Sequence, residues 1–393
     1  MSEIPHPNLT RLAVRNYRSL KDVDVGLRPL TVLVGENSTG KSNMIDVLRF
    51  VRDALTSSLE QAVLMRGGMS ALHCWFADHR EPISIHLEFE DPESEWSGTY
   101  ILTFNGGGGA AGQSEKLYLS TVDVTGPKKH FFEVVDGQLI KSSLKPNPET
   151  PDSNQLYLSQ LARLNPAVKA VKMVHDLLAK MSFYDLKPDT LRQPQALLTP
   201  FPLLETGENL ASALLELQKR EEEYLITESL DVIVDGLTGY NVEQLNGHLV
   251  TKLHYAFHNG HTRTISSQLR DEADGTIQLL ALLTTLYQQR FPALLVVENP
   301  EKGIHSRELG VCGEVLDEAA LRYQVLVTTH SPDLIDELPI DSFLVVEKEE
   351  GISKIGPLIQ FQRDIVDKKF FSLGELMQNQ GLFREGASLR AKV

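Results

Sequence analysis

Hydrophobic and polar residues alternate along the first part of the chain in a pattern typical of half-buried strands. The period of two runs through residues 12–17 and again through residues 23–27, and a continuous apolar run follows at Leu30–Val34. Apolar residues at helical spacing then occupy residues 42–51, and this pattern extends towards residue 63. We expect two half-buried strands, a buried strand and a helix, in that order.

A second group of alternating segments follows, and turn residues separate its members. The glycine run at residues 106–109 precedes neither a Lys-Ser/Thr pair nor a helical pattern, so we interpret it as a hairpin tip rather than a phosphate loop. Asp136 and Gly137 give a hairpin signal, because this pair suits a tight two-residue turn. Residues 81–141 therefore predict an antiparallel β lobe, with strands at 83–89, 99–104, 116–124, 130–135 and 138–140.

Helical patterns dominate the middle of the chain, after a proline-containing linker at residues 144–150. We expect helices within residues 153–181, 209–224 and 228–237. From residue 290 onward, apolar strands alternate with amphipathic helices, which is typical of a parallel sheet buried on both faces. The predicted fold class is α/β, with a nucleotide-binding core divided between residues 1–145 and 261–393 and a compact helical insert at residues 146–260.

Composition excludes several kinds of protein. The 393 residues are 41% hydrophobic and carry a net charge of −15, which disfavours non-specific coating of DNA but leaves a local basic groove open. No apolar stretch of about 18 residues is present, and residues 1–10 are polar, so we expect neither a membrane span nor secretion. Cys74 and Cys312 lack the spacing of a disulfide framework or a zinc site. We expect a cytoplasmic protein.

The segment between the buried strand and the first helix matches the phosphate-binding pattern G-x-x-x-x-G-K-[ST] at every fixed position. Strand, glycine turn and helix bring backbone N–H groups and a helix N-terminus onto one anion. We expect Lys41 to reach the β- and γ-phosphates of a nucleoside triphosphate and Ser42 to ligate Mg²⁺. The alternative is a glycine-rich turn without a ligand. The predicted nucleotide-contacting residues are Gly35, Glu36, Asn37, Ser38, Thr39, Gly40, Lys41, Ser42 and Asn43.

Polar residues end two of the later predicted strands. Glu298 follows an apolar strand and is a candidate Mg²⁺ ligand opposite Ser42, because strand ends of an α/β sheet open onto one crevice. His330 follows the next strand and is positioned to donate a hydrogen bond to a γ-phosphate oxygen. An ordinary acidic strand end and a structural histidine are the alternatives.

Together these motifs resemble the ABC-type ATPase heads of the RecF, SMC and OLD-like class, over residues 9–51 and 263–347. The resemblance implies that Arg18 lies near the base or phosphates of the nucleotide, and that residues 303–306 form the D-loop. It also implies that a signature segment, Asp274, Gly275 and Thr276, contacts the γ-phosphate of ATP bound to a second subunit in a head-to-tail homodimer. A simple N-cap by Asp274 is the alternative.

Two residues depart from the pattern of the class. Ala273 stands where the class usually has the serine of the signature, which removes a hydroxyl donor. Asn299 stands where the class usually has the glutamate that polarises the attacking water, and an amide does not accept a proton. Glu301 substitutes for it if the turn at Pro300 directs its side chain inward. We expect slow hydrolysis, with ATP bound and never hydrolysed as the alternative.

Only about fifty residues follow the last predicted core strand, and they contain no D-x-D pair of the kind found in the Toprim nuclease of OLD-type members. The resemblance to stand-alone ATPases therefore implies a sensor or scaffold that controls a separately encoded effector, a nuclease or toxin, in defence against phage or plasmid DNA. A DNA repair or recombination ATPase that binds nucleic acid is the alternative. A third possibility is a module that uses ATP only structurally.

Overall fold

Three β-sheets and the helices between them form the computed structural model of the chain. The model describes residues 7–78, 80–91, 96–106, 112–123, 126–144, 155–164, 169–196, 201–258, 262–288 and 294–387. Among these residues, no helix combines the length and apolar character needed to cross a lipid bilayer.

The strands follow in chain order. They are β1 (Asn8–Tyr17), β2 (Leu20–Gly26), β3 (Leu30–Val34), β4 (Ile83–Asp91), β5 (Trp96–Phe104), β6 (Gln113–Asp123), β7 (Gly126–Val135), β8 (Gln138–Ser142), β9 (Ser182–Tyr184), β10 (Gln195–Ala196), β11 (Leu237–Leu245), β12 (His248–His258), β13 (Thr262–Gln268), β14 (Leu294–Glu298), β15 (Gln324–Thr329), β16 (Phe343–Glu349) and β17 (Ile352–Pro357).

The helices are interleaved with these strands. They are α1 (Lys41–Thr56), α2 (Leu59–Leu64), α3 (Met69–Leu72), α4 (Tyr157–Leu164), α5 (Lys169–Ala179), α6 (Pro188–Leu191), α7 (Leu210–Lys219), α8 (Tyr224–Asp231), α9 (Asp274–Tyr287), α10 (Leu309–Ala320), α11 (Pro332–Asp336), α12 (Gln360–Asp367) and α13 (Leu373–Asn379). The predicted helix after the phosphate loop is therefore two helices, α1 and α2.

The central sheet has the strand order β17-β16-β3-β15-β14-β9. Strands β16, β3, β15, β14 and β9 are parallel, and β17 joins β16 antiparallel. Alternate residues of β3, β15 and β14 belong to two different hydrophobic cores, one on each face of the sheet. This confirms the predicted parallel sheet buried on both faces. The sequence pattern missed β9, which is only three residues long and follows a helix directly.

A second, antiparallel sheet has the order β2-β1-β4-β5-β6-β7-β8. It confirms the predicted β lobe and extends it, because β1 and β2 join the same sheet through the pairing of β1 with β4. The turn before β8 is the predicted one, with φ of 50° at Asp136 and 73° at Gly137. The greater part of the predicted glycine hairpin tip, residues 107–109, lies outside the described residues.

The predicted compact helical insert contains strands as well as helices. Helices α4 to α8 are present, but β10, β11 and β12, with β13, form a third sheet, and β9 belongs to the central sheet. The helix predicted at residues 228–237 ends at Asp231, and β11 begins at Leu237. The overlooked signal is the Asn246-Gly247 pair, with φ of 49° and 81°, which forms the hairpin turn between β11 and β12. The predicted linker after residue 144 lies outside the described residues.

A buried carboxyl group connects the β lobe to the rest of the chain. Glu115, on β6, is 1% exposed and accepts hydrogen bonds from the Tyr100 hydroxyl group and from the backbone N–H groups of Tyr157 and Leu158 at the start of α4. Ser159, on α4, donates to the carbonyl oxygen of Leu55 at the end of α1. Burial raises the pKa of Glu115 to about 7, despite the two backbone donors.

This pKa predicts a pH-dependent stability. Because the folded-state pKa of about 7 lies above the ordinary value of 4.5, Glu115 contributes stability below pH 4.5 that is lost as the pH rises towards 7. Glu115→Gln remains neutral throughout. Between pH 5 and 8, the unfolding free energy of the wild type should therefore fall by about 2–3 kcal/mol relative to that of the variant. Urea denaturation at a series of pH values measures this difference, and parallel curves for the two proteins would contradict it.

Candidate functional site

The phosphate loop, residues 35–42, connects β3 to α1 with two residues at positive φ, Ser38 at 64° and Gly40 at 116°. Helix α1 begins at Lys41, and no side chain caps its N-terminus at Gly40. Uncapped N–H groups at a helix N-terminus favour an anion. A Cβ atom at Gly40 would lie 2.0 Å from Ser353 Oγ, and one at Gly35 would lie 2.2 Å from the carbonyl oxygen of Val346. Both glycines are therefore required by close packing of the loop on β16 and β17.

Serine and asparagine side chains hold the phosphate loop in place. Ser353 Oγ, on β17, donates to the carbonyl oxygen of Thr39 and lies 2.6 Å from Ser19 Oγ. Asn43 Nδ2, on α1, donates to the same Ser19 hydroxyl group at 2.6 Å. The predicted contact residue Asn43 thus fixes α1 to the turn between β1 and β2.

The Lys41 ammonium group lies against the loop itself. Its Nζ atom donates to the carbonyl oxygens of Gly35 at 2.6 Å and Glu36 at 2.9 Å. Burial lowers the pKa of Lys41, and the charge of Glu301 opposes this shift. Lys41 is thus a buried cation whose charge is compensated only in part, and it lies beside the uncapped N–H groups of α1. A phosphate group would supply the missing negative charge.

Arg18 lies at the turn between β1 and β2 with φ of 49°. Its guanidinium group pairs with Asp46, on α1, at 3.1 Å. Asp46 also accepts hydrogen bonds from the Tyr17 hydroxyl group and from Arg66. Arg18 is therefore tied to the side of α1, and its contact with a nucleotide stays a prediction.

The structure brings Ser42 and Glu298 together. Ser42 Oγ lies 3.4 Å from Glu298 Oε2, although the two residues are 256 positions apart in the chain. Burial raises the pKa of Glu298, and the nearby Arg49 opposes this shift. A hydroxyl group beside a carboxylate fits Mg²⁺, which takes few protein ligands when substrate phosphates supply others. In the described part of the chain, no cluster of three or more His, Cys, Asp or Glu side chains could hold a metal ion.

The turn after β14 directs Glu301 inward. Asn299 adopts a positive φ of 48°. Glu301, two positions later, is only 9% exposed. Glu301 Oε1 accepts hydrogen bonds from Thr329 Oγ1 at 2.8 Å and from the backbone N–H of His330 at 3.3 Å. Its Oε2 atom is buried without a hydrogen-bond partner among the described residues. The side chain of Glu301 is therefore directed inward, and its role in place of Asn299 stays a prediction.

His330 completes this group. Its Nδ1 atom lies 3.3 Å from Asn299 Oδ1 and 3.4 Å from Glu301 Oε1. The side chain is 47% exposed, so the imidazole ring reaches the surface. It lies at the sheet edge where the phosphate loop follows β3. Nδ1 has two oxygen neighbours, which favours the tautomer that carries a proton there.

The signature segment opens helix α9. Ala273 occupies the N-cap position and Asp274 is the first helical residue, so Asp274 does not act as a simple N-cap. Instead, its carboxylate pairs with Arg192, which also donates to the carbonyl oxygen of Arg270. A Cβ atom at Gly275 would lie 3.0 Å from the carbonyl oxygen of Gly303, so the predicted D-loop packs directly on the signature segment.

Comparison with known proteins decides the family. A family model described as "AAA domain, putative AbiEii toxin, Type IV TA system" (AAA_21) matches residues 30–336. The chain belongs to the AAA_21 family. It is an ATPase of the AAA/ABC class, and nucleotide binding follows from that membership.

Relatives of this AAA_21 chain are distant. A segment of 89 residues is 30% identical to the OLD nuclease of Thermus scotoductus (strain ATCC 700910 / SA-01), and it covers 23% of the chain and 16% of that protein. Two solved structures share the fold at low identity. One is an SMC head bound to the C-terminal winged-helix domain of ScpA, with a TM-score of 0.53, 14% identity and 91% and 99% of the two chains covered. The other is the SMC head of Pyrococcus furiosus bound to the C-terminal domain of ScpA, with a TM-score of 0.52, 13% identity and 93% and 99% covered.

Several side chains at the site were not predicted. Arg49 contacts Glu298, Arg192 pairs with Asp274, and Ser353 supports the phosphate loop. Arg49 lies seven positions after Ser42 on α1, so helical spacing could have suggested that both face one side. No sequence signal identifies Arg192 or Ser353, because tertiary packing alone brings them to the site.

Replacing Gly40 with alanine should cost more stability than the same change at Gly381. Both glycines have positive φ, 116° and 81°, but only at Gly40 would the new Cβ meet another atom within 4 Å. We expect Gly40→Ala to lower the free energy of unfolding by about 1–3 kcal/mol more than Gly381→Ala does. Urea denaturation measures both. Equal losses would show that the phosphate loop is free to move away from β17.

Proposed function

We propose that this chain binds ATP with Mg²⁺, hydrolyses ATP slowly and dimerises around it. The observation that carries the proposal is the contact of Ser42 with Glu298, at 3.4 Å. This contact joins the phosphate loop to the predicted Mg²⁺ ligand Glu298 at one edge of the central sheet. Glu301 and His330 lie at the same edge.

Each side chain of this group has a role in the proposed reaction. Lys41 and the N–H groups at the start of α1 hold the phosphates of ATP. Ser42 and Glu298 would hold Mg²⁺, which supplies positive charge at the phosphate oxygens when bound. Glu301 accepts the proton of the attacking water, and His330, with protons on both ring nitrogens, donates a hydrogen bond from Nε2 towards the γ-phosphate.

The proposed reaction is slow for two structural reasons. Asn299 presents an amide where the class has a carboxylate, and an amide accepts no proton. Glu301 is restrained by its hydrogen bonds to Thr329 and His330, so its second oxygen has little freedom to follow the attacking water. A long-lived ATP-bound state follows from both.

The proposed dimer is head-to-tail, and the signature segment supports it. Asp274 is held by Arg192, Gly275 is buried, and Ala273 is exposed at the helix start. The N-terminus of α9 is thus held in place by Arg192 and exposed at Ala273 and Asp274, which suits contact with a triphosphate on a second copy. ATP would then join the two subunits.

We extend the proposal to a separately encoded effector, a nuclease or toxin, in defence against phage or plasmid DNA. The family description names a toxin of a toxin–antitoxin system, and the relative from Thermus scotoductus is a nuclease. The insert supports partner binding because it exposes apolar side chains. These are Tyr224 at 52%, Val232 at 76% and Leu245 at 49% exposure.

Substitutions at Lys41 and Glu301 should separate binding from hydrolysis. Lys41→Ala should abolish both, because the phosphates lose the buried lysine of the phosphate loop. Glu301→Gln should lower kcat by about 10²- to 10⁴-fold and change ATP affinity little. Glu318→Gln, an exposed change on α10, is the control. Phosphate release and fluorescent-nucleotide binding are the measurements, and turnover unaffected by Lys41→Ala would remove this site as the ATPase site.

The proposed dimer predicts opposite effects of two substitutions of Ala273 on dimerisation. Ala273→Ser adds the hydroxyl group that the class usually has, so ATP-dependent dimerisation should be kept or strengthened. Ala273→Glu places a carboxylate against the triphosphate of the second copy and should abolish dimerisation while nucleotide binding to the monomer continues. Light scattering with Glu301→Gln as background, to slow hydrolysis, measures both. A dimer of Ala273→Glu as stable as that of the parent would contradict the arrangement.

A further inference from the structure

One guanidinium group shares Glu298 with Ser42. Arg49 Nη2 lies 3.4 Å from Glu298 Oε1, while Ser42 Oγ lies 3.4 Å from Oε2. Both oxygens of the proposed metal ligand are therefore engaged by side chains of α1. Neither contact is short, so Glu298 is held loosely by both partners.

Arg49 is fixed by groups other than Glu298. Its guanidinium carbon lies 4.9 Å from the ring centre of Phe183, a residue of β9 that is 1% exposed. Arg49 Nε lies 3.5 Å from Glu205 Oε2. Arg52, one turn further along α1, lies 4.7 Å from the same ring and pairs with the same carboxylate of Glu205. Arg49 would therefore stay in place if Glu298 turned towards a metal ion.

The charges around Glu298 are closely balanced. Asp185 lies beside it, because the pairing of Val297 with Tyr184 puts the next residues of β14 and β9 at one sheet edge. Lys302 Nζ pairs with Asp185 at 2.7 Å, and Arg49 lies at the longer distance of 3.4 Å from Glu298. Each carboxylate thus has its own basic partner. A divalent cation added to Glu298 would meet the fixed positive charge of Arg49 at close range.

We propose that Arg49 competes with a divalent cation for Glu298, so that the cation binds well only when the triphosphate brings its negative charge. Arg49 is then a positioning residue that makes metal binding depend on ATP binding. This inference rests on the proposed function, since it concerns the same Ser42–Glu298 site.

Titration of the full chain with Mn²⁺ alone, followed by electron paramagnetic resonance, tests the proposal without any nucleotide. Arg49→Gln should bind Mn²⁺ on the order of tenfold more tightly than the wild type, because one fixed positive charge is removed. Arg49→Met keeps the packing on Phe183 without the charge and should behave in the same way. Arg52→Gln is the matched control, because Arg52 shares Phe183 and Glu205 but does not contact Glu298, and it should match the wild type.

Two further variants test whether the change in Mn²⁺ affinity depends on the charge of Arg49 and on Glu298. Arg49→Lys keeps the charge and should match the wild type, and adding Glu298→Gln to Arg49→Gln should remove the gain in Mn²⁺ affinity. Adding a non-hydrolysable ATP analogue should reduce the difference between Arg49→Gln and the wild type. Thermal unfolding curves show which variants are folded.

The proposal is overturned if folded Arg49→Gln and Arg49→Met bind Mn²⁺ no more tightly than the wild type. It is also overturned if Arg52→Gln or Arg49→Lys shows the same gain, or if the gain survives Glu298→Gln. Failure of the proposed function looks different, because the wild type would then show no ATP binding that depends on Lys41, whatever its affinity for Mn²⁺.

Discussion

The site depends on the parallel pairing of β3, β15 and β14. Parallel strands place their carboxyl ends at one edge of a sheet, and each of these strands ends at a segment of the candidate site: the phosphate loop, His330 and Glu298–Glu301. Because both faces of the sheet are buried in separate cores, a strand could not slip in register without exposing apolar side chains. The same packing that stabilises the sheet therefore fixes the distance from Ser42 to Glu298.

Charge compensation is the second constraint at this edge. Lys41, Glu298 and Glu301 are all largely buried, and each has partial partners rather than a full ion pair. Lys41 contacts carbonyl oxygens, Glu298 has two long contacts, and Glu301 leaves one oxygen unpaired. Such incomplete compensation costs free energy in the isolated protein. It is an arrangement that a charged ligand with both phosphates and a cation would complete.

The remaining parts of the chain attach to this edge through a few side chains. Ser353 ties the phosphate loop to β17, Glu115 ties the β lobe to α4, and Arg192 ties the insert to the signature segment. Each connection joins residues far apart in the sequence. Movement of the lobe or of the insert would therefore reach the nucleotide site through identifiable hydrogen bonds, which suits a protein whose proposed output is a change in assembly.

The sequence alone determined the local elements with strong patterns. The phosphate loop, the helix after it and the buried strands of the central sheet follow from short-range chemistry: glycine conformations, apolar runs and a helix N-terminus. It failed where a weak local preference was overridden by tertiary pairing, as in β9, or where the Asn246-Gly247 hairpin signal was overlooked. Only the tertiary structure decided that Glu301 points inward and that Arg49 and Arg192 reach the site. Side-chain direction after a turn at positive φ, and contact between residues more than eighty positions apart, depend on packing that no local pattern encodes.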